Sequence, residues 1–334
     1  MERGWERAHD FMELPARELE RRVGGAFPGA RLRAAQPLTA GLRNTNYRLE
    51  IEGGPSPLVL RLYVAEAAAC AREAAVLAAI AGRVPAPRVL YCDPAATPPY
   101  AFIEWIEGRP LDSVLGDCDG ATASELARAC GTALAAIHGT RLPAPGFLGS
   151  EMSVIRPMPG WASAVIEALG GRVEERLGPE LSAGVRAVVE SNAPAVESVW
   201  SEAVLVLADY KPWNLLVDRP ADGASDGPGG GTAWHVTGVL DWEFACAACK
   251  LIDFATFLRD EADRRPGFAD VFAAAYVDAG GSLPTDWRPL TRLVDLLNLL
   301  QLLAWADHRA ALELRRLVAE IVSAGELPPG SRGS

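Results

Sequence analysis

Two short runs hold the residues best suited to chemistry: Asp209-Tyr-Lys-Pro-Trp-Asn214 and, after a Gly/Ser/Pro tract, Asp241-Trp-Glu243. A carboxylate at the head of a loop can accept the hydrogen bond of a substrate hydroxyl. An amide five residues later and a carboxylate ending the next strand offer the hard oxygen donors that Mg²⁺ prefers. Those are the needs of phosphoryl transfer, which asks for a positioned hydroxyl and for neutralised charge on the β- and γ-phosphates. Asp209 fits the first role, Asn214 and Asp241 the second. A bare D-x-x-x-x-N recurs by chance, and its Asp and Asn can simply cap a turn. Here apolar strand-like runs flank it, LVLAD before and NLLVD after, and VLDWE closes a hairpin.

Lysine usage points to the same stretch. Only two of the 32 basic residues are lysine, Lys211 and Lys250, and both fall within residues 205–254. With abundant Ala, Gly and Pro, this is the usage of a GC-rich genome that writes Arg wherever chemistry permits. A compact ammonium and a planar guanidinium are not equivalent, so Lys211 reads as kept for its charge and reach.

The 334 residues suffice for two lobes, and 49% hydrophobic with 22% charged residues is a globular composition. A net charge of −11 disfavours nucleic acid and favours a cationic substrate. A nucleotide enzyme this acidic must concentrate positive charge locally. The first residues are charged and lack an apolar core, so no signal peptide is read. The greasiest run, 293–307, is broken by Asp295, Asn298 and Gln301 and reads as a buried helix, not a membrane span. The expectation is a soluble cytoplasmic protein with no membrane partner. The six cysteines, including the C-x-x-C of Cys246 and Cys249, read as small buried hydrophobes. Tyr210, Trp213 and Trp242 read as packing around the motif.

The elements that must position the motif follow from periodicity. Residues 36–64 read as strands, with a turn-rich segment at Gly41, an alternating run from Tyr47 to Ile51 and an apolar run from Leu58 to Val64. Residues 66–82 predict an Ala-rich helix, and two Pro-punctuated strands follow. After Gly108 the pattern turns helical: SELARACGTALAAIHG, then 161–177, 180–200, 267–279 and 288–307. The strand pair carrying the motif lies inside this helical part. The reading is α+β, a small β-rich lobe followed by a larger helical one.

The string LADYKPWNLLV…VTGVLDWEFA…KLIDFA resembles the signature of the aminoglycoside phosphotransferase and choline kinase superfamily, with its protein-kinase-like bilobal fold. The resemblance covers about residues 36–308 and implies a nucleotide-binding lobe at 1–105 and a catalytic, substrate-binding lobe at 106–334. GLRNTNY, with Gly41 and Asn44, resembles the nucleotide loop. Arg61 in VLRLY stands where a cation contacts phosphate, and Glu73 in AREAAVL where a helix glutamate pairs with it. AFIEWIEGRPL resembles the hinge, so the C=O of Glu104 and the N–H of Ile106 would bond adenine, leaving the Glu104 side chain free. LAAIHG, with His138, matches a familiar helix ending. Asp209 would be the catalytic carboxylate, with Lys211 as a mobile ammonium on the γ-phosphate. Asn214 and Asp241 would hold Mg²⁺, and buried Asp253 would brace the loop backbone. Glu243 would be a secondary metal or substrate contact. Asp260, Glu261 and Asp263 stand where relatives present acids to amine-bearing substrates.

The chain departs from the pattern at Leu207-Ala208, where the family usually has His-Gly. Leucine keeps the packing and loses the polar bond. ACAACKLID also differs after Asp241, where Gly and Pro are usual. The implied cofactors are ATP or GTP with Mg²⁺, the partner is a small hydroxyl-bearing molecule, and the state is monomer or homodimer. Three readings stay open. They are an antibiotic O-phosphotransferase, a primary-metabolite kinase of choline, homoserine, hydroxylysine or thiamine type, and an inactive kinase-like binding protein.

Overall fold

The structure, a computed structural model, describes residues 9–39, 43–220, 233–259 and 266–325. It opens with a helix that the pattern reading did not anticipate, α1 (Ala16–Ala26), which buries Leu19, Arg22 and Val23 one turn apart. Strand β1 (Arg31–Leu38) begins upstream of the expected 36–64 span. The alternation around Tyr47 is realised in β2 (Thr45–Glu52), which buries Thr45, Tyr47, Leu49 and Ile51 on one face. With β3 (Leu58–Leu62), β4 (Val89–Asp93) and β5 (Tyr100–Glu104) they form an antiparallel sheet of order β1-β2-β3-β5-β4. Leu19 and Val23 cover one face, against Leu49, Leu60 and Phe102. Each such fully buried apolar side chain contributes roughly 1.5–3 kcal/mol.

The Ala-rich helix appears as α2 (Ala68–Ile80), a little shorter than expected. Its first turn packs Ala69 and Cys70 against Tyr63, Ala101 and Ile103 of the sheet. Its second half places Val76, Leu77 and Ile80 in the much larger helical core. Helix α2 therefore belongs to both hydrophobic cores, with Glu73 at the crossing.

Beyond the sheet, β6 (Arg109–Pro110), α3 (Leu111–Asp117) and α4 (Gly120–His138) lead into the helical part. There follow β7 (Gly146–Leu148), β8 (Val154–Pro157), α5 (Trp161–Ala168), α6 (Arg172–Leu177) and α7 (Pro179–Trp200). The single helix expected over 161–177 is two, broken where Gly171 takes φ 58°, a left-handed conformation that suits glycine. Strands β9 (Val204–Val206), β10 (Leu215–Asp218), β11 (His235–Val239) and β12 (Cys246–Ala248) frame the motif. The hairpin β10–β11 joins β6 in one small sheet, and β12 and β9 join β7 and β8 in another. Helices α8 (Leu251–Leu258), α9 (Phe268–Asp278), α10 (Trp287–Trp305) and α11 (His308–Ala324) complete the chain. The last of these was not read from the sequence.

The apolar run 293–307 lies in α10 and buries Leu293, Val294, Leu296, Leu299, Leu300 and Leu303 in the core. Among the described residues no helix is long and apolar enough to cross a membrane. Cys246 and Cys249 are both buried, as are Tyr210 and Trp242. One close approach shapes the site. A Cβ on Gly131 of α4 would stand 2.3 Å from the carbonyl oxygen of Phe272, so only glycine lets α4 and α9 meet this closely.

Candidate active site

Strand β9 delivers the chain to Leu207, Ala208 and Asp209, and the next residues turn through a 3₁₀ segment at Pro212–Asn214 into β10. Two buried backbone donors at this turn need acceptors, and Asp253 of α8 supplies both. Its Oδ2 accepts from the Leu207 N–H at 2.9 Å and its Oδ1 from the Ala208 N–H at 2.8 Å. His138, at the end of α4, donates from Nε2 to Asp253 Oδ2 at 3.1 Å. A carboxylate only accepts, so Nε2 carries a proton, and Nδ1 lies 3.1 Å from the Tyr276 hydroxyl of α9. The close α4–α9 contact at Gly131 is what brings His138 and Tyr276 together.

The departures at 207 and 208 now have a structural reading. Leu207 is fully buried, and the loop draws its polar support from Asp253, His138 and Tyr276. Ala208 takes φ 61°, a conformation that costs a residue with a Cβ roughly 1–2 kcal/mol. This is the position of the usual glycine. The strained peptide turns Asp209 out of the strand.

Asp209 keeps 17% of its side chain exposed and is gripped from two sides. Asn214 Nδ2 donates to Asp209 Oδ2 at 2.7 Å and to its backbone carbonyl at 3.0 Å. Lys211 Nζ stands 2.6 Å from Asp209 Oδ1 and 5.3 Å from the Trp213 ring centroid. Lys211 is 6% exposed. Lys211 is buried and anchored on Asp209, because a charge taken out of water needs a partner. With its nitrogen on Asp209, the planar Asn214 amide turns its oxygen the other way.

The hairpin sets the second acidic group beside the first. Leu215 pairs with Val239, and the Leu240 N–H donates to the Asn214 carbonyl at 2.8 Å. Asp241 follows at φ 67°, a left-handed turn that lifts its carboxylate, 37% exposed, off the strand. Arg61 Nη2 lies 2.6 Å from Asp241 Oδ1 and 3.4 Å from Glu243 Oε1, while its Nε lies 3.4 Å from Glu73 Oε2. Burial pulls the Arg61 guanidinium down, and the Glu73, Asp241 and Glu243 carboxylates more than reverse this, leaving it well above the ordinary range.

Glu73 is a junction. It accepts from the Tyr63 hydroxyl at 2.6 Å and from the Trp242 N–H at 3.2 Å, so α2, β3 and the turn after Asp241 meet on one carboxylate. Glu243 is 4% exposed and accepts from Asn44 Nδ2 at 2.7 Å, which ties the start of β2 to the turn after Asp241. Its backbone carbonyl accepts from Arg72 Nη2 at 2.8 Å. Burial pushes the Glu243 carboxyl up to about 7 against the opposing pull of Arg61, with Asp241 and Glu73 adding to the rise.

The structure thus gathers Asn44, Arg61, Glu73, Asp241 and Glu243 into one cluster, Asp209, Lys211 and Asn214 into a neighbouring one, and Asp253 behind the latter. Glu104 ends β5 and Ile106 follows, packing within 3.1 Å of where a Cβ on Gly238 would stand. The Glu104 side chain is not free. Arg88 donates to it from Nε and Nη2, both at 3.1 Å, and from its backbone N–H at 3.2 Å, because neighbouring β4 brings that guanidinium alongside. Gly41, Asp260, Glu261 and Asp263 lie outside the described residues. Just before the last three, Arg259 forms a buried ion pair with Asp295 of α10. Tyr63, Arg72 and Tyr276 were not singled out from the sequence. Each acts through a distant partner, and only their polar tips in apolar surroundings hinted at a role.

The profile of the phosphotransferase enzyme family matches residues 34–293. No curated protein matches the chain. Among solved structures, the aminoglycoside phosphotransferase APH(4)-Ia superposes with a TM-score of 0.69 at 18% identity, over 94% of this chain and 100% of its own. A thermostable variant of that protein, in ternary complex with ADP and hygromycin B, gives 0.65 at 18% identity, over 93% and 100%. The macrolide 2′-phosphotransferase MphH from Brachybacterium faecium gives 0.59 at 18% identity, over 91% and 97%. These neighbours share the kinase-like fold of a β-rich sheet region and a helical part. With more than half of its residues in the family match and that fold around the Asp209 and Asp241 turns, the chain belongs to the phosphotransferase enzyme family and is a small-molecule phosphotransferase.

Proposed function

We propose that the protein moves the γ-phosphate of ATP or GTP to a hydroxyl of a small cationic molecule, an antibiotic, with Asp209 accepting the hydroxyl proton. The observation that carries this reading is the Asp209–Asn214–Asp241 geometry: a partly exposed carboxylate with one oxygen on Asn214, next to a second carboxylate raised by a left-handed turn. A base must reach the proton it takes, and Asp209 is exposed enough to do so while Asn214 and Lys211 fix its direction. Lys211, bound to Asp209, sets positive charge beside the transferring phosphate. Arg61 would meet the outer phosphates, and the backbone at Glu104 and Ile106 the base. Asn44 would contact the nucleotide from the start of β2. The lobes divide near this hinge, into 1–105 and 106–334.

Asn214 Oδ1 and the Asp241 carboxylate are oxygen donors on adjoining turns, a set that suits Mg²⁺, which takes one or two protein ligands and completes its shell from phosphate and water. When bound, Mg²⁺ supplies positive charge on the β- and γ-phosphate oxygens. Arg61, now on Asp241, leaves that carboxylate compensated until a nucleotide arrives.

The antibiotic reading draws on the neighbours, which are aminoglycoside and macrolide phosphotransferases, and on the net charge of −11. The remaining parts of the proposal are a cytoplasmic protein that works as a monomer or homodimer. Release of nucleoside diphosphate, measured against a panel of aminoglycosides, macrolides and amino alcohols, tests it. Turnover with an antibiotic is expected. Turnover with only an amino alcohol would move the protein to primary metabolism, and none with any acceptor, despite nucleotide binding, would sink the kinase reading.

A further inference from the structure

Two thiols face each other behind the helix that carries Glu73. Cys70 lies on α2 and Cys92 on β4, with their Sγ atoms 3.3 Å apart. A disulfide bond is about 2.05 Å long, so little more than an ångström of side-chain movement separates contact from a bond. The pair sits in an apolar seam with Tyr63, Ala69, Ala101 and Ile103. The two sulfurs are not equivalent, since Cys70 is fully buried and Cys92 half-buried. The hydrogen bond between them lowers Cys92 and raises Cys70, making Cys92 the thiolate-prone partner. Burial instead pushes Cys246 and Cys249 up to about 12 and raises Cys130, which suits inert packing.

We propose that Cys92 and Cys70 form a thiol-modification site for low-molecular-weight disulfides, with Cys92 attacking, Cys70 resolving and a Cys70–Cys92 bond as the product. The Cys92 thiolate displaces one thiolate from the small disulfide and leaves a mixed disulfide on Cys92. Cys70 then attacks the Cys92 sulfur, and its proton passes to the second thiolate as that group is expelled. Two protein thiols are oxidised, and one disulfide is reduced to two thiols. The bond joins α2, three residues before Glu73, to the last strand of the sheet. It therefore fixes the helix that straddles both cores without entering the cleft. The linked residues are 22 apart in sequence, a loop whose closure restricts the unfolded chain.

Incubation of the full chain with oxidised glutathione, followed by non-reducing peptide mapping, tests this. The expected result is a Cys70–Cys92 peptide, two fewer free thiols and a Tm higher by roughly 4 °C, all reversed by dithiothreitol. In Cys70→Ala the reaction should stall as a glutathione adduct on Cys92 with no rise in Tm. A wild-type chain that keeps glutathione on Cys92 without cross-linking would overturn the proposal. So would one whose Cys92 stays unmodified while half-buried Cys118 reacts.

Discussion

Behind Asp209, charge is held by short, directed hydrogen bonds. Asp253 takes two backbone N–H groups and His138, and Asp209 takes Asn214 and Lys211. Around Arg61 it is held differently, by one short contact to Asp241 and two looser ones at 3.4 Å to Glu73 and Glu243. Arg61 Nε, though buried, has no hydrogen-bond acceptor among the described residues. Directed bonds weaken steeply when bent or stretched, whereas Coulomb attraction falls only as the inverse of distance. The first region thus specifies one geometry. The second specifies a charge balance and lets the guanidinium change partners, as the proposed contact with phosphate would require.

The sharpest test of the first region is Asp209→Asn. Turnover should fall by about 10³-fold or more while nucleotide affinity shifts by less than about threefold, because the lost group would act at the hydroxyl in the proposed mechanism. Wild-type turnover would remove Asp209 from the chemistry.

Arg61→Gln attacks the second region. It leaves Glu73, Asp241 and Glu243 without their shared cation, and removing one partner of a buried ion cluster costs about 3 kcal/mol. Denaturant unfolding should show that loss, and nucleotide affinity should drop with it. Unchanged stability would mean that the cluster is not the balance described.

Lys211 stands between the regions, a charge held by a directed bond. Lys211→Ala should lower kcat by roughly 10²-fold, and Lys211→Arg by roughly tenfold, since a wider guanidinium cannot occupy the same buried space on Asp209. If the Arg variant matches wild type in kcat and KM, the retained lysine carries no catalytic meaning.

Glu243 gives the charge balance a pH signature. Its folded pKa, about 7, lies above the ordinary value of 4.5. Between these values the folded state binds the proton more tightly than the unfolded chain. The stability this contributes is fully present below pH 4.5 and lost as pH rises through 7. The loss should be on the order of 3 kcal/mol, and Glu243→Gln should flatten the profile across that window. A profile unchanged by the substitution would place the titration elsewhere.

The smallest effect is expected at Ala208. Glycine adopts the φ of 61° found there without strain, but its freer unfolded chain offsets part of the gain. Ala208→Gly should therefore stabilise by about 0.5 kcal/mol. A loss of stability would mean that the alanine methyl packs usefully in this turn.

What the sequence determined by itself was local. The order and spacing of Asp209, Asn214 and Asp241, the alternation around Tyr47, the Ala-rich helix and the α+β layout were all legible, because strand and helix periods and turn residues act over a few positions. Arg61 and Glu73 were legible through resemblance alone, and the structure brings them within 3.4 Å. Other features needed the assembled molecule. Glu243 meets Asn44 across 199 residues, and Asp253, His138 and Tyr276 come from three helices, two of which, α4 and α9, Gly131 allows to close. The Glu104 carboxylate turns to Arg88 because β4 happens to lie alongside. A buried charge must find a partner wherever the packed chain brings one, and no local pattern records which partner that will be.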